Sequence, residues 1–167
     1  MYDARIAREG CVPTRPGSWH DLMNALVWAT FPLAKRALHE RQHGLVVPAA
    51  PGESARRPRE LDTLALLDEG GLVVVALAPL EDEDALVSAV ARHQATALVF
   101  GHAIYEGIVL GHEAPLASAI CVRGDPGSAR DALIAHADQA LATVVADRTR
   151  LLEPRGMLRL RAASSLV

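Results

Sequence analysis

The segment SWHDLMNALVWATFPLAKR, residues 18 to 36, constrains the fold more than any other stretch of the chain. Pro16 and Gly17 break what precedes it, and Ser18 followed three residues later by Asp21 has the spacing of a capping box, so a helix is expected to begin at Trp19. Trp19, Leu22, Leu26 and Ala29 recur at helical spacing, while Met23, Val27 and Thr30 extend the apolar side nearly all round. Such a helix belongs inside a protein. Half of the residues are hydrophobic but only 4% are aromatic, so two tryptophans in one short helix mark a packing centre, with Trp19 and Trp28 expected in the core. Pro32 suits the first turn of a second helix ending at Gly44. Its Leu33, Ala34, Ala37 and Leu38 are expected to face inward, and Lys35, Arg36, Glu40 and Arg41 to face water.

The rest of the chain alternates shorter elements. Residues 45–60 hold Pro48, Pro51, Gly52, Ser54 and Pro58 and read as an irregular connection. The runs LDTLALL and LVVVALA flank DEGG, which predicts a β-hairpin with Asp68 and Glu69 at its tip. EDEDALVSAVARH reads as a helix with acids in its first turn and a stripe of Leu86, Val87, Val90 and Ala91. A strand TALVF, a helix or helical turn GHAIYEGIVLG and a strand LASAICV follow. After the breaker GDPGS, Ser128 and Asp131 repeat the capping-box spacing before a helix to about Thr149, with Ala132, Leu133, Ala140, Leu141, Val144 and Val145 inward. Residues 152–167 carry no pattern and are expected to form a disordered tail. A chain of 167 residues can bury about two thirds of its unfolded surface around one core. The expected fold is α+β, a small mixed or antiparallel sheet with helices packed against it, in a single domain 1–167.

Charge and motif content exclude several functions. The formal net charge is −3, and the only basic cluster is Arg56, Arg57 and Arg59, so no electrostatic footprint supports a nucleic-acid partner. Lys35 is the single lysine of the chain, every other basic residue being arginine. Cys11 and Cys121 are too few and too far apart for a disulfide framework or a zinc knuckle. The start MYDARIAREG lacks the apolar stretch of a secretory signal, and Leu72–Leu80 falls short of the ~20 residues a membrane span needs. A cytoplasmic address without a membrane partner is the expectation. No G-x-S-x-G elbow, phosphate loop or G-x-G-x-x-G turn is present.

Two polar constellations remain. His20 and Asn24 share a helix face at i, i+4, with Asp21 beside them, although Asp21 is more simply explained as the reciprocal cap to Ser18. His102 and Glu106 are again i, i+4, directly after a strand that ends at Phe100 and Gly101. If the hairpin tip folds over the first helix, His20, His102, Glu106 and an acid such as Asp68 meet as a mixed nitrogen and oxygen site suited to a divalent transition metal. The plainer readings are a satisfied core histidine for His20, a surface pair for His102 and Glu106, and a solvated turn for Asp68 and Glu69.

The elements ARI, VPTR, WHDLMNALVW, FP and K in the first forty residues, followed by LDTLALLDEGG and FGHAIYE, resemble the bacterial domain-of-unknown-function family numbered 3025. The resemblance runs from about Tyr2 to Val122. It supplies no activity, and implies marked positions at Thr14, Arg15, Trp19, His20, Asp21, Asn24, Trp28, Asp62, Asp68, Glu69, Gly101, His102 and Glu106. Two departures accompany it, a shorter N-terminal lead and a poor fit after Leu151.

Two functional readings follow. In the first, the polar groups form a small-ligand-binding pocket or a structural network that docks the helix pair, with a homodimer contact among its uses. In the second the chain is a metal-dependent hydrolase: His20, His102 and Glu106 hold the metal, Asp21 or Asp68 orients a histidine, and Arg15 and Asn24 contact the substrate.

Overall fold

In the computed structural model, which describes residues 6, 10–46, 58–111 and 116–160, helix α1 spans Trp19–Thr30 as expected. The Ser18 hydroxyl caps it, accepting the Asp21 N–H at 3.2 Å. The reciprocal half of the capping box does not form, because the Asp21 carboxylate turns back to Arg15 instead. The orientation of α1 also differs from expectation. Its buried residues are Asp21, Met23, Asn24 and Val27, whereas Trp19, Leu22 and Leu26 are about half exposed. Trp28 is half-buried and stacks on His39 at 5.3 Å between ring centroids. Only one side of a helix can meet the core, and α1 docks with the side whose polar groups find partners there.

Helix α2 spans Pro32–Leu45. Ala34 and Leu38 enter the core, but Lys35 and Arg41 are buried too, and Leu33 is exposed. Both cations are taken in because each is fully engaged. Lys35 Nζ lies 2.5 Å from Asp68 Oδ1. Arg41 donates to Glu60 Oε1 at 2.7 Å and to the carbonyls of Val145, Asp147 and Arg150 at 2.7, 3.1 and 2.6 Å. The N-terminus of α2 has no cap of its own. Asp138, 104 residues further on, accepts the Leu33 and Ala34 N–H groups at 3.1 and 2.8 Å.

The predicted hairpin is not formed. LDTLALLDEG is the helix α3, Arg59–Gly70, and only the second run is a strand, β1, Gly71–Ala76. The buried Thr63, Leu64, Leu67 and Gly70 keep a helical period that the short Leu-rich run disguised. The glycine pair is there for space rather than for a turn. A Cβ on Gly71 would sit 2.2 Å from the Leu67 carbonyl oxygen, and one on Gly70 2.9 Å from that of Leu116. Helix thus runs directly into strand.

Helix α4, Glu83–Ala91, capped by Asp82, buries Leu86 and Ala89. It leads to β2, Ala95–Val99, helix α5, His102–Leu110, and β3, Ala117–Arg123. Helix α6, Arg130–Ala146, starts from Ala129 with no side-chain cap, so the Ser128 and Asp131 box does not form, and Ala132 faces solvent. The expected tail contributes a 3-10 turn, Pro154–Gly156, and a short strand β4, Leu158–Leu160. Residues 47–57 of the expected connection and 161–167 of the expected tail lie outside the described residues.

The four strands form one mixed sheet in the order β2-β1-β3-β4, β1 being antiparallel to β2 and parallel to β3, and β4 antiparallel to β3. All six residues of β1 are buried, so both sheet faces are covered. Val73, Val75, Ile120 and Val122 pack with Val27, Phe31, Leu38, Leu64 and the inner side of α6, while Leu72, Val74 and Ala119 pack with Leu86 and Ile104 on the other face. Each fully buried aliphatic side chain contributes ~1.5–3 kcal/mol, which makes β1 the anchor of the α+β fold.

Candidate functional site

The site lies where the first turns of α1 and α5 meet the last turn of α3. Gly101 creates that junction: a Cβ there would lie 2.4 Å from both the Glu69 oxygen and the Gly71 nitrogen, so only glycine lets α5 start against the end of α3. The Gly71 carbonyl fixes the approach, accepting the N–H groups of Phe100 and Gly101 at 2.9 and 2.8 Å. His102, first residue of α5, is thereby set beside Asp68 and Glu69.

His20, from α1, completes the cluster. Its Nε2 lies 3.2 Å from His102 Nε2, and the two rings meet edge to face with centroids 4.4 Å apart. Its Nδ1 lies 3.2 Å from Glu106 Oε2, and His102 Nε2 lies 3.3 Å from Glu69 Oε2. The four side chains form a chain, Glu106, His20, His102, Glu69. Burial holds the His102 pKa below that of a free imidazole, against the opposing pull of the Asp68 and Glu69 carboxylates. A neutral His102 with its proton on Nε2 serves both His20 Nε2 and Glu69, and His20 then donates from Nδ1 to Glu106. The opposite tautomer would set three acceptors against one another with no proton between them. In the assigned state the buried Nδ1 of His102 is an acceptor without a hydrogen-bond partner.

A cleft of about 600 Å³ opens over this chain, with Arg15, Asn24, His39, Gln42, Asp68 and Glu69 among its walls. Arg15 and Asp21 form one rim. The Arg15 backbone N–H and Nε donate to Asp21 Oδ2 at 2.6 and 2.9 Å, and Nη2 donates to Oδ1 at 2.9 Å. This forked contact holds the Asp21 carboxyl well below the usual carboxylate range. On the opposite wall Asp68 is occupied by Lys35, whose ammonium also lies 5.8 and 5.7 Å from the ring centres of Trp28 and Phe100. Both cations nearest the cleft are therefore paired with carboxylates, Lys35 in the interior and Arg15 at the exposed rim, while Glu69 keeps about half of its side chain in solvent.

Residues that are distant in sequence, His20, His102 and Glu106, thus come together, but not as ligands of one ion. Glu106 meets Nδ1 of His20 and His102 meets Nε2, on opposite edges of the ring, so the three donors point at no common centre. Among the described residues no group of three His, Cys, Asp or Glu side chains is arranged to hold a metal ion. The orienting carboxylate of His20 is Glu106 rather than Asp21 or Asp68, which are bound to Arg15 and Lys35. Asn24 is buried at the cleft wall, and Arg15 is at its rim. Lys35 and His39 were missing from the expected site. The signal for Lys35 was its being the only lysine in an arginine-rich chain; its compact ammonium is held by Asp68 near the rings of Trp28 and Phe100.

Fold and site together define an α+β protein with an imidazole and carboxylate cleft at a three-helix junction. Among the described residues no helix is long and apolar enough to cross a membrane. Residues 1–160 match the family model described as "Protein of unknown function (DUF3025)", and the chain belongs to that family. The match extends beyond Leu151, where the sequence was expected to depart from it. No curated protein and no solved structure matches the chain.

Proposed function

We propose that the cleft binds a small polar molecule that presents a cationic or hydrogen-bond-donating group to Glu69 and the imidazole pair. The observation that carries this reading is the Glu69 carboxylate, which keeps about half of its side chain in solvent at the cleft wall and lies 3.3 Å from His102 Nε2. The sign of the ligand follows from the walls. Lys35 is buried against Asp68, and Arg15, 75% exposed at the rim, is engaged by Asp21 through three hydrogen bonds, so the accessible carboxylate beside the imidazoles is Glu69. The Glu106, His20 and His102 chain also suits the movement of a proton to or from the bound group, with Glu106 orienting His20. A hydrolase built on a metal held by His20, His102 and Glu106 has no support in this geometry.

The test is an NMR titration of the imidazole resonances of His20 and His102 with methylamine and, separately, with acetate. Methylamine is expected to shift both imidazoles saturably in the wild-type protein and to lose its effect in Glu69→Gln, while acetate does neither. Shifts from acetate but not methylamine, or a methylamine response unchanged in Glu69→Gln, would overturn the proposal.

A further inference from the structure

The outer face of α1 is as apolar as a core face, yet it is exposed. Trp19, Leu22 and Leu26 are 52, 47 and 53% exposed, and Ala29 is exposed as well. The four are spaced three, four and three residues apart, the period of a helix seam that packs against another helix. The one carboxylate of α1, Asp21, is turned inward to Arg15, so the stripe itself carries no charge. By contrast the outer face of α2 carries the paired Arg36 and Glu40. Beside the stripe runs a groove of about 560 Å³ between Trp19, Leu22 and Ala25 on one side and Thr14, Gly17 and the paired Arg15 and Asp21 on the other.

We infer that this stripe is the contact between two copies of the chain, with the two α1 helices packed antiparallel about a two-fold axis. The size pattern of the stripe is what selects a second copy. An antiparallel two-fold centred between Leu22 and Leu26 sets Trp19 of each copy against Ala29 of the other, and Leu22 against Leu26. Large thus meets small at both ends and equal meets equal in the middle, which is the self-complementarity an isologous contact requires. The antiparallel arrangement also sets each helix N-terminus beside the other's C-terminus, where the dipoles attract. The exposed parts of Trp19, Leu22 and Leu26 offer on the order of 300 Å² of apolar surface per copy, which makes this a small contact beside the ~800 Å² per partner of a standard interface.

Sedimentation equilibrium at micromolar concentrations is expected to give twice the 17.8 kDa chain mass. Leu26→Glu, at an exposed position, is expected to leave the far-UV circular dichroism unchanged and weaken association about 100-fold, the size of a central hot-spot loss. The exchange pair separates this register from general stickiness. Trp19→Ala and Ala29→Trp are each expected to weaken the dimer, one by a hole and one by a clash, while the double variant recovers it. A monomeric wild-type protein, a dimer indifferent to Leu26→Glu, or a double variant weaker than both single ones would overturn the inference.

Discussion

Cutting the Lys35 and Asp68 pair from either side is expected to give unequal losses, and the inequality follows from where each charge sits. The Lys35 side chain is 0% exposed and that of Asp68 15%. Asp68→Ala leaves an ammonium enclosed by protein with only the faces of Trp28 and Phe100 for company. Breaking a buried pair in this way costs ~3–5 kcal/mol. Lys35→Met keeps the length of the stem and leaves a carboxylate at a cleft wall, where water can replace the lost donor. That loss is closer to a single charged hydrogen bond, ~1.5–3 kcal/mol. The double variant Lys35→Met with Asp68→Ala removes both charges and is expected to lose less than Asp68→Ala alone and no more than Lys35→Met, since an apolar replacement of a buried ion pair is often neutral. Urea unfolding followed by circular dichroism at pH 7 measures all three, and the double-mutant cycle isolates the pair. A Lys35→Met loss equal to that of Asp68→Ala, or a double variant whose loss is the sum of the two, would refute the reasoning.

Two further outcomes are expected. Asp138→Ala removes the cap that α6 lends to α2 and should cost ~2 kcal/mol in the same assay, about that of an ordinary N-cap at the upper end of its range; a loss under half that size would mean that α2 caps itself. His102 has its pKa lowered by burial, so the folded state binds its proton less readily than the unfolded chain does. Stability is therefore fully present above the unfolded histidine value of ~6.5 and falls as the pH drops from there towards the lowered folded value. Urea midpoints measured at pH 7.5, 6.5 and 5.5 should show this slope in the wild type and a shallower one in His102→Gln, and equal slopes would contradict the assignment.

Much of the fold was legible because it rests on local chemistry. Ser18 and Asp82 cap where a side-chain oxygen precedes a helix, and the short apolar run LASAICV, closed by the breaker GDPGS, needs no distant partner to be read as a strand. The failures share a cause. Gly70 and Gly71 look like a turn because their sequence does not say whether the missing Cβ answers a positive φ or a close neighbour, and here it is the neighbour. Lys35 and Arg41 read as surface residues because their partners, Asp68, Glu60 and the end of α6, are distant in sequence. The same holds for α1, whose apolar stripe pointed to burial while its polar side held the inward contacts. At the site, the pairing of His20 with His102 spans 82 residues. Residue type and i, i+4 spacing marked both histidines, but which nitrogen faces which carboxylate depends on how α5 starts against α3.

Arg41 gives this architecture a fastening point. One guanidinium holds the closing carbonyls of α6, the Arg150 carbonyl beyond it and the Glu60 carboxylate at the opening of α3, all from the middle of α2. Those three segments cannot loosen singly without stranding a cation or baring carbonyl groups. Fluctuations that start at any of them must be shared by the others, so this end of the molecule opens as a unit or stays shut.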